Sequence, residues 1–574
     1  MRKRALTILV AKWLGGFILV LAFHCVSGQS LENLGKQEPF KIRGSIGASA
    51  NYYSSNEAVA SRPPWSWNLY GSFTPQVYGV SLPVSFTLNQ FGNSFSQPFA
   101  QFGISPTYKW AKIHLGFRNI RMSPLVFDGQ SFRGAGVELN PGLLRFAAFY
   151  GRLNKKVNED TTSGQFAVPQ FSRAGYGVKL GVGNQNHYLD LIYFYAKDDS
   201  TSATVINKQK IQAQENAVIG TSLKATILKK VVLTADLAAS GLTSDLSSEK
   251  LDSVTGGLIN KVFSNLLPFR NSTDVRFGGQ ASVNATLQNF NTSIGYRRVD
   301  PGFKSLGTPY MLNDVEMINW ASNSNLLDGK VNINTNISNQ RNNLKRDLTS
   351  RLNTSVGNLN VSAMVSQKMH INFGYSGYIL KQSDGTLQLT DSTRLNQQIH
   401  QLNLMPSYTI FNNTRSQAFS ASLNYMKLND MNPVTSPSTS SSNLSTSLNY
   451  SLGFTKMGIN INSGVLYNQY VQDTNRYTTY GVNVGASGNF LKEKNLNAQF
   501  TTGYMMNQSS FSNVQSNITF SANVSYRYEK HTFSLMANYV YTPYNPINEV
   551  IERAMSRVVA SKNFAGGISY NYSF

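Results

Sequence analysis

The last eleven residues, 564–574, alternate strictly between apolar or aromatic residues and small or polar ones. Phe564 and Ile568 belong to the first set, and Ser569 and Asn571 belong to the second. Successive side chains of a β-strand point to opposite faces, so this pattern predicts a strand with one apolar and one polar face. A chain that ends on such a strand is constrained to bury or cover that apolar face.

Tyr570, Tyr572 and Phe574 share the apolar face, and Phe574 is the last residue. A final strand that ends on an aromatic residue resembles the C-terminal assembly signal of bacterial outer-membrane β-barrels. We therefore interpret these three residues as an assembly signal read by the outer-membrane insertion machinery. The same resemblance implies a membrane protein that crosses the bilayer with strands.

Residues 1–28 have the features of a secretory signal peptide. Basic residues precede an apolar run from Trp13 to Phe23, and small residues lead to a cleavage point before Gln29. Cys25 leaves a lipoprotein anchor as an alternative, but large residues stand before it where that signal requires small ones. If Cys25 leaves with the signal peptide, the mature chain has no cysteine, which excludes disulfides and thiolate metal sites.

Period-two alternation recurs along the chain, for example in 331–337, 418–425, 443–454 and 533–541. A soluble β-sandwich also alternates, so this pattern alone is not decisive. No second long apolar run follows the signal peptide, which argues against a helical membrane protein. The signal peptide, the final aromatic strand and aromatic residues near strand ends together favour a transmembrane barrel.

The spacing of the connections predicts the number of strands. Counted back from Phe574, twelve short connections alternate with thirteen longer ones, as expected when one rim carries tight turns and the other carries loops. We therefore predict an all-β fold, a single large antiparallel transmembrane β-barrel over residues 40–574. It has about 26 strands (range 22–26), both termini are periplasmic, and residues 29–39 form a short periplasmic segment.

A barrel of this size requires something to fill its lumen. Residues 29–39 are too few for the N-terminal plug of energy-coupled receptors, so inward loops or another protein must do so. Segment 242–273 contains apolar residues at helical spacing from Leu258 to Leu267, ended by Pro268. This helix lies either on the extracellular rim or in the lumen. Segment 306–310 is a second loop that could fold inward.

Basic residues form two groups in a chain with a net charge of +22. One group lies at the short connections. The other surrounds two consecutive long loops and comprises Arg297, Arg298, Lys304, Arg341, Lys345, Arg346 and Arg351. They either bind anionic lipid headgroups or form a basic pore or rim that attracts anionic solutes, lipopolysaccharide or an acidic partner. The expected compartment argues against nucleic acid.

Catalytic and metal-binding patterns are weak. We find no metal-binding histidine pair and no Gly-rich phosphate loop, so we expect no catalytic residue, no metal and no cofactor. A barrel phospholipase would need a serine and a histidine on the outer wall, and His400 would be its candidate. A neutral histidine hydrogen-bonded inside a polar lumen is the alternative for His400.

Four segments resemble a group of large outer-membrane barrel proteins of Bacteroidota, to which no activity is assigned. They are 79–87, 101–110, 137–142 and 296–307. The resemblance implies an integral outer-membrane location and a barrel fold, and it supplies no site residues.

Two functions remain open. The first is a loop-gated channel or transporter for polar or anionic solutes. The alternative is a non-conducting subunit of an outer-membrane secretion, assembly or surface-attachment complex, with a periplasmic or lipoprotein partner docked on its basic rim. Outer-membrane lipid and lipopolysaccharide are expected to surround the protein in either case.

Overall fold

The computed structural model describes residues 39–574, except 57–62, 79, 91–100, 160–168, 205–210, 253–256, 392, 492, 511 and 544–559. The predicted signal peptide, the candidate anchor Cys25 and residues 29–38 lie outside the described part of the chain.

The described residues form 26 antiparallel strands and two short helices. The predicted number of strands is therefore confirmed. In chain order the elements are β1 Phe40–Ser55, β2 Trp65–Val77, β3 Val80–Ser81 with Val84–Asn89, β4 Gln101–Ile104 with Thr107–Tyr108, β5 Ala111–Arg118, β6 Phe132–Leu139, β7 Leu144–Asn154, β8 Ser172–Gly183, β9 Tyr188–Asp199, β10 Glu215–Ile227, β11 Val231–Thr243, α1 Leu258–Ser264, β12 Thr273–Thr286, β13 Phe290–Val299, β14 Val315–Leu326, β15 Val331–Arg341, β16 Ser350–Ser366, β17 Met369–Asp384, β18 Asn396–Phe411, β19 Arg415–Asp430, α2 Ser436–Thr439, β20 Ser441–Phe454, β21 Ile459–Gln472, β22 Asn475–Phe490, β23 Leu496–Ser509, β24 Ser512–Tyr528, β25 His531–Thr542 and β26 Ser561–Ser573.

Each strand pairs with its neighbours in sequence, and the sheet closes because β26 pairs with β1. Ser45 lies opposite Ser573, and Ser55 lies opposite Asn563. Closure leaves no unpaired sheet edge, which is the condition for a sheet that crosses a membrane. β1 begins and β26 ends at the same rim, which also carries the short connections. We call it the short-turn rim, and the opposite one the long-loop rim.

Two strands near the N-terminus are interrupted. β3 breaks at Leu82 and Pro83, and β4 breaks at Ser105 and Pro106. Proline lacks the backbone N–H that a strand ladder requires, so each of these strands is interrupted at its proline.

At the long-loop rim, β21 and β22 are joined by only two residues, Asp473 and Thr474. One connection that was predicted as long is therefore a tight turn.

Side chains of seven strands, β6, β7, β9, β10, β11, β13 and β14, converge on one buried apolar cluster. Only the concave side of a closed wall brings so many strands together, so this face is the lumen. The residues that alternate with them face outward, as every second residue does along the rest of the wall, and many of these are exposed and apolar, including Leu191, Ile294, Leu448 and Ile568. The wall thus has an apolar outside, as expected for a strand that faces lipid.

Helix α1 packs on the outward face near the long-loop rim. Phe263 and Leu267 are buried against Ala217 and Ala239, which alternate with the inward residues of β10 and β11. A Cβ on Gly241 would lie 2.6 Å from the Phe263 ring, so glycine permits this contact. Of the two positions that the sequence left open, the helix occupies the outer one. No helix in the described ranges is long and apolar enough to span a bilayer.

Candidate functional site

Two loops fold into the lumen and fill one side of it. They are residues 119–131, between β5 and β6, and residues 300–314, between β13 and β14, and together we call them the luminal plug. The first contributes Leu125, Val126 and Phe127, each 0% exposed. The second contributes Phe303 and Leu306 to the same cluster. Inward folding of segment 306–310 is thus observed.

Aromatic residues join the plug to the wall. The Phe127 ring lies 4.3 Å from the Phe149 ring of β7 and 5.4 Å from the Phe194 ring of β9, measured between centroids. Such tilted pairs stabilise packing beyond the apolar area that they bury. The plug is thus a packed core inside the barrel.

Asn216 of β10 fixes the second loop of the plug. Its side chain is fully buried, its Oδ1 accepts the backbone N–H of Leu306 at 3.0 Å, and its Nδ2 lies 3.3 Å from the carbonyl oxygen of Lys304. Ser240 Oγ donates to the same carbonyl oxygen at 2.6 Å. A buried polar side chain whose partners are all in place holds a segment in one arrangement.

The two loops also bind each other. Ser305 Oγ donates to the carbonyl oxygen of Val126 at 2.6 Å, and the backbone N–H of Asp128 donates to the carbonyl oxygen of Gly307 at 3.0 Å. A Cβ on Gly307 would lie 2.6 Å from the Val126 oxygen, so this approach requires glycine. The two loops of the plug therefore form one fixed structure inside the lumen.

Several charged side chains on the plugged side are paired with a carboxylate. Arg145 binds Asp190 through two hydrogen bonds of 2.7 and 2.9 Å, and Asp190 is almost fully buried. His114 lies 2.7 Å from a Glu138 carboxylate oxygen. A buried ion pair with complete hydrogen bonds holds two strands in register, and its charges are largely neutralised. We therefore interpret these pairs as structural.

The opposite side of the lumen, formed by β15–β26, is uncharged between its two rims among the described residues. Pairing registers place every second residue of these twelve strands on the inward face. Among the described strand residues on that face, Asp384, Asp430 and Arg527 carry charge, and all three lie at strand ends. We call this surface the open wall.

Amide and hydroxyl groups cover much of the open wall and bind one another across strands. Ser422 and Ser447 hydroxyl oxygens lie 2.8 Å apart, and Asn468 Nδ2 donates to Asn443 Oδ1 at 3.1 Å. Further inward asparagines include Asn334, Asn358, Asn360, Asn372, Asn403, Asn424, Asn449, Asn462, Asn483, Asn497, Asn523 and Asn538. Each offers donors and acceptors to a polar solute or to water.

The predicted basic group does not form one cluster. Arg297 faces inward, between Gln280 and Met317 of the adjacent strands, whereas Arg298 faces outward. Arg341 and Arg351 also face outward. Lys345 and Arg346 are exposed in the connection between β15 and β16.

Lys304 belongs to the plug. Its Nζ lies 3.0 Å from Gln214 Oε1. Desolvation by the surrounding protein lowers the pKa of the Lys304 ammonium, Arg173 lowers it further, and Asp198 raises it.

His400 faces outward on β18, and its Nδ1 lies 2.8 Å from the Tyr375 hydroxyl oxygen. The alternative of a luminal His400 is therefore wrong, and its neighbour is a tyrosine instead of the serine that a phospholipase would need. Within the described residues, no three His, Cys, Asp or Glu side chains are grouped to hold a metal ion.

Neither the first plug loop nor Asn216 was predicted from the sequence. Residues 124–127 read Pro-Leu-Val-Phe, an apolar run inside a predicted loop, and this run was the available signal. Loops normally lie at the surface and are polar, so a buried apolar run in one indicates that it is covered by the rest of the fold.

No protein-family model matches the chain, and no curated protein matches it. Among solved structures, the P pilus usher PapC translocation pore aligns with 93% of this chain and 99% of its own, at 10% identity and a TM-score of 0.37. The ferric preacinetobactin receptor BauA of Acinetobacter baumannii aligns with 93% of this chain and 81% of its own, at 10% identity and a TM-score of 0.34.

A BenF-like porin of Pseudomonas fluorescens aligns with 68% of this chain and 98% of its own, at 13% identity and a TM-score of 0.32. Similarity at this level assigns no activity to the chain.

Proposed function

We propose that the protein is an integral outer-membrane channel for polar, uncharged solutes. The observation that carries the proposal is the open wall, whose inward residues are uncharged from β15 to β26 except at the rims. The luminal plug is anchored to the other side, so solute would pass between the plug and the open wall.

The outward face supports a membrane location. Leu191, Ile294 and Ile568 are 61%, 57% and 61% exposed, and all three face away from the lumen. Exposed apolar patches of this extent are unfavourable in water and are stabilised in lipid. We infer that the short-turn rim is periplasmic and that the long-loop rim is extracellular, because outer-membrane barrels have short periplasmic turns and longer extracellular loops.

The placement of charge favours uncharged solutes over anions. Arg298, Arg341 and Arg351 face outward, so they do not line the lumen, whereas Arg297 and Lys304 lie on the plugged side, away from the open wall. A pore selects ions through charged rings or dipoles at its constriction, and the open wall offers amides and hydroxyls of both donor and acceptor character. We expect weak ion selectivity and free passage of small neutral sugars.

Planar-bilayer recording tests the proposal. Wild-type protein should conduct with little preference between potassium and chloride, and liposomes containing it should swell in neutral sugars. Replacing residues 120–130 by a short Gly/Ser linker should raise single-channel conductance about twofold, because the plug fills one side of the lumen. Deleting Leu258–Ser264 should leave conductance unchanged, because α1 lies outside the wall.

Two results would overturn the channel proposal. The first is a folded wild-type protein that neither conducts nor supports swelling. The second is an equal effect of the plug replacement and the α1 deletion, since a shared effect would come from general damage to the barrel.

A second candidate function rests on the short-turn rim. Many of its turns carry lysine, including Lys229, Lys230, Lys330, Lys368, Lys456, Lys494 and Lys530. Such a rim would attract an acidic periplasmic protein, as in a complex subunit. Gentle purification from native membranes at low and high salt distinguishes this function, because a partner held by the rim is released as salt rises.

A further inference from the structure

An outward-facing row of charged and polar residues crosses five neighbouring strands at the long-loop rim. The registers place Arg298 opposite Glu316, Glu316 opposite Arg341, Arg341 opposite Asn353, and Asn353 opposite Lys381. We call these five residues the rim row. Arg351 lies two residues before Asn353 on the same face of β16 and extends the row towards the rim.

Among the described residues, pairing leaves Lys381 of the row and the neighbouring Arg351 without a carboxylate partner. Glu316 binds Arg341 and lies 4.0 Å from Arg298. Arg351 and Lys381 make no ion pair with any residue in the described ranges, and the Lys381 side chain is exposed. Strands two apart are separated by about 10 Å, so Arg341 and Lys381 present charges at that spacing.

The face becomes apolar immediately below the row. Ile318 pairs with Tyr296 and Asn339, one step further from the rim, and it is 58% exposed. Ile337 and Ile379 are 52% and 40% exposed on the same face. Basic side chains at the border of an apolar band lie where lipid headgroups meet acyl chains.

We propose that the rim row, with Arg351, binds a phosphorylated glycolipid of the outer leaflet. The acyl chains would cover Ile318 and Ile337, and the phosphates would contact Arg351 and Lys381, with Arg341 on the strand beside Arg351. Arginine matches phosphate through paired N–H donors, and lysine binds it as a point charge. The inference rests on the outer-membrane location proposed above and is independent of whether the lumen conducts.

Native mass spectrometry of the full-length protein tests this site with bis-phosphorylated lipid A as the probe. Arg351→Gln with Lys381→Gln removes the two unpaired charges and leaves the Arg341–Glu316 pair intact. Arg415→Gln with Lys494→Gln is the matched control, because it removes the same charge at the short-turn rim.

We expect the rim variant to bind lipid A about thirtyfold more weakly than the wild type, since each basic residue near a charged lipid surface contributes about a factor of five. The control should bind as the wild type does. Dephosphorylated lipid A should bind the wild type and the rim variant equally weakly.

Equal lipid A affinity in both variants would overturn the inference, as would equal retention of phosphorylated and dephosphorylated lipid A by the wild type. Loss of a co-purifying acidic protein from the rim variant, with lipid A binding unchanged, would also overturn it. Conductance of the rim variant should equal that of the wild type, so failure of the channel proposal is separable from failure of this one.

Discussion

Asn216 anchors the luminal plug to the barrel wall. Its amide binds Ser240 Oγ at 2.8 Å and the Gly241 carbonyl oxygen at 2.9 Å, in addition to the contacts with residues 304 and 306 of the plug. One buried side chain thus joins two strands to an inward loop. Loss of such a group leaves buried donors and acceptors without partners.

Asn216→Ala should lower the free energy of unfolding by about 2–4 kcal/mol, because the Leu306 N–H remains buried without an acceptor. Urea unfolding in detergent, followed by tryptophan fluorescence, measures this change. Asn424→Ala is the control, since Asn424 lies on the open wall and contacts Asn403. A loss as large for Asn424→Ala as for Asn216→Ala would contradict the role of Asn216.

The faces of several basic residues follow from strand alternation alone. Arg297 and Arg298 are adjacent in a strand, so they must face opposite sides of the wall and cannot both line the lumen. The same alternation assigns Arg341 and Arg351 to a face of the wall once one residue of β15 and one residue of β16 have been placed. Asn216 could not be recognised in advance, because its partners in the plug lie about 90 residues away and nothing local distinguishes it from the other asparagines.

Strands and connections were largely predictable. Tight turns depend on local chemistry, and alternation fixes a strand within a few residues, so all 26 strands could be counted. The loop that fills the lumen was not predictable, because it forms no regular element and its burial depends on seven separate strands. The helical spacing of α1 identified a helix correctly, but periodicity does not say on which side of a wall a helix packs.

The direction of the strands can be tested by surface labelling. Ser438 lies in α2 at the long-loop rim, and Glu493 lies in the turn between β22 and β23 at the short-turn rim, and both are exposed. In intact cells a cysteine at position 438 should react with an impermeant thiol reagent, and one at position 493 should react only after the outer membrane is opened. Reversed labelling would contradict the proposed orientation.

The whole molecule is closed by a seam between the two ends of the chain. The Phe574 backbone N–H donates to the Gly44 carbonyl oxygen at 2.9 Å, and its ring lies 5.6 Å from the Phe73 ring. Tyr572 packs edge-on against Phe574 at 5.1 Å, and Tyr570 packs against Phe533 at 5.1 Å. The final aromatic residues therefore have structural contacts in addition to their predicted role as an assembly signal.

Deleting Phe574 should reduce the amount of heat-modifiable barrel in the outer membrane, and adding Tyr572→Ser should reduce it further. The deletion removes a seam contact, and both changes alter the terminal strand that insertion is expected to require. Gel mobility of unheated membrane fractions measures the folded amount. Asn571→Ser is a control on the inward face of the same strand. Unchanged insertion of the double variant would contradict the assembly signal.

Among the described residues, the buried apolar packing inside the barrel is confined to residues 120–315, and the open wall after it is built of hairpins that contact their neighbours through the sheet. Losing or duplicating a hairpin in the open wall would change the circumference without breaking a contact of the buried apolar cluster. The same change between β5 and β14 would disrupt the plug. In proteins that evolve from such a chain, the lumen can widen or narrow by two strands at a time in the open wall. The number of strands from β5 to β14 is held constant by the buried core that they share.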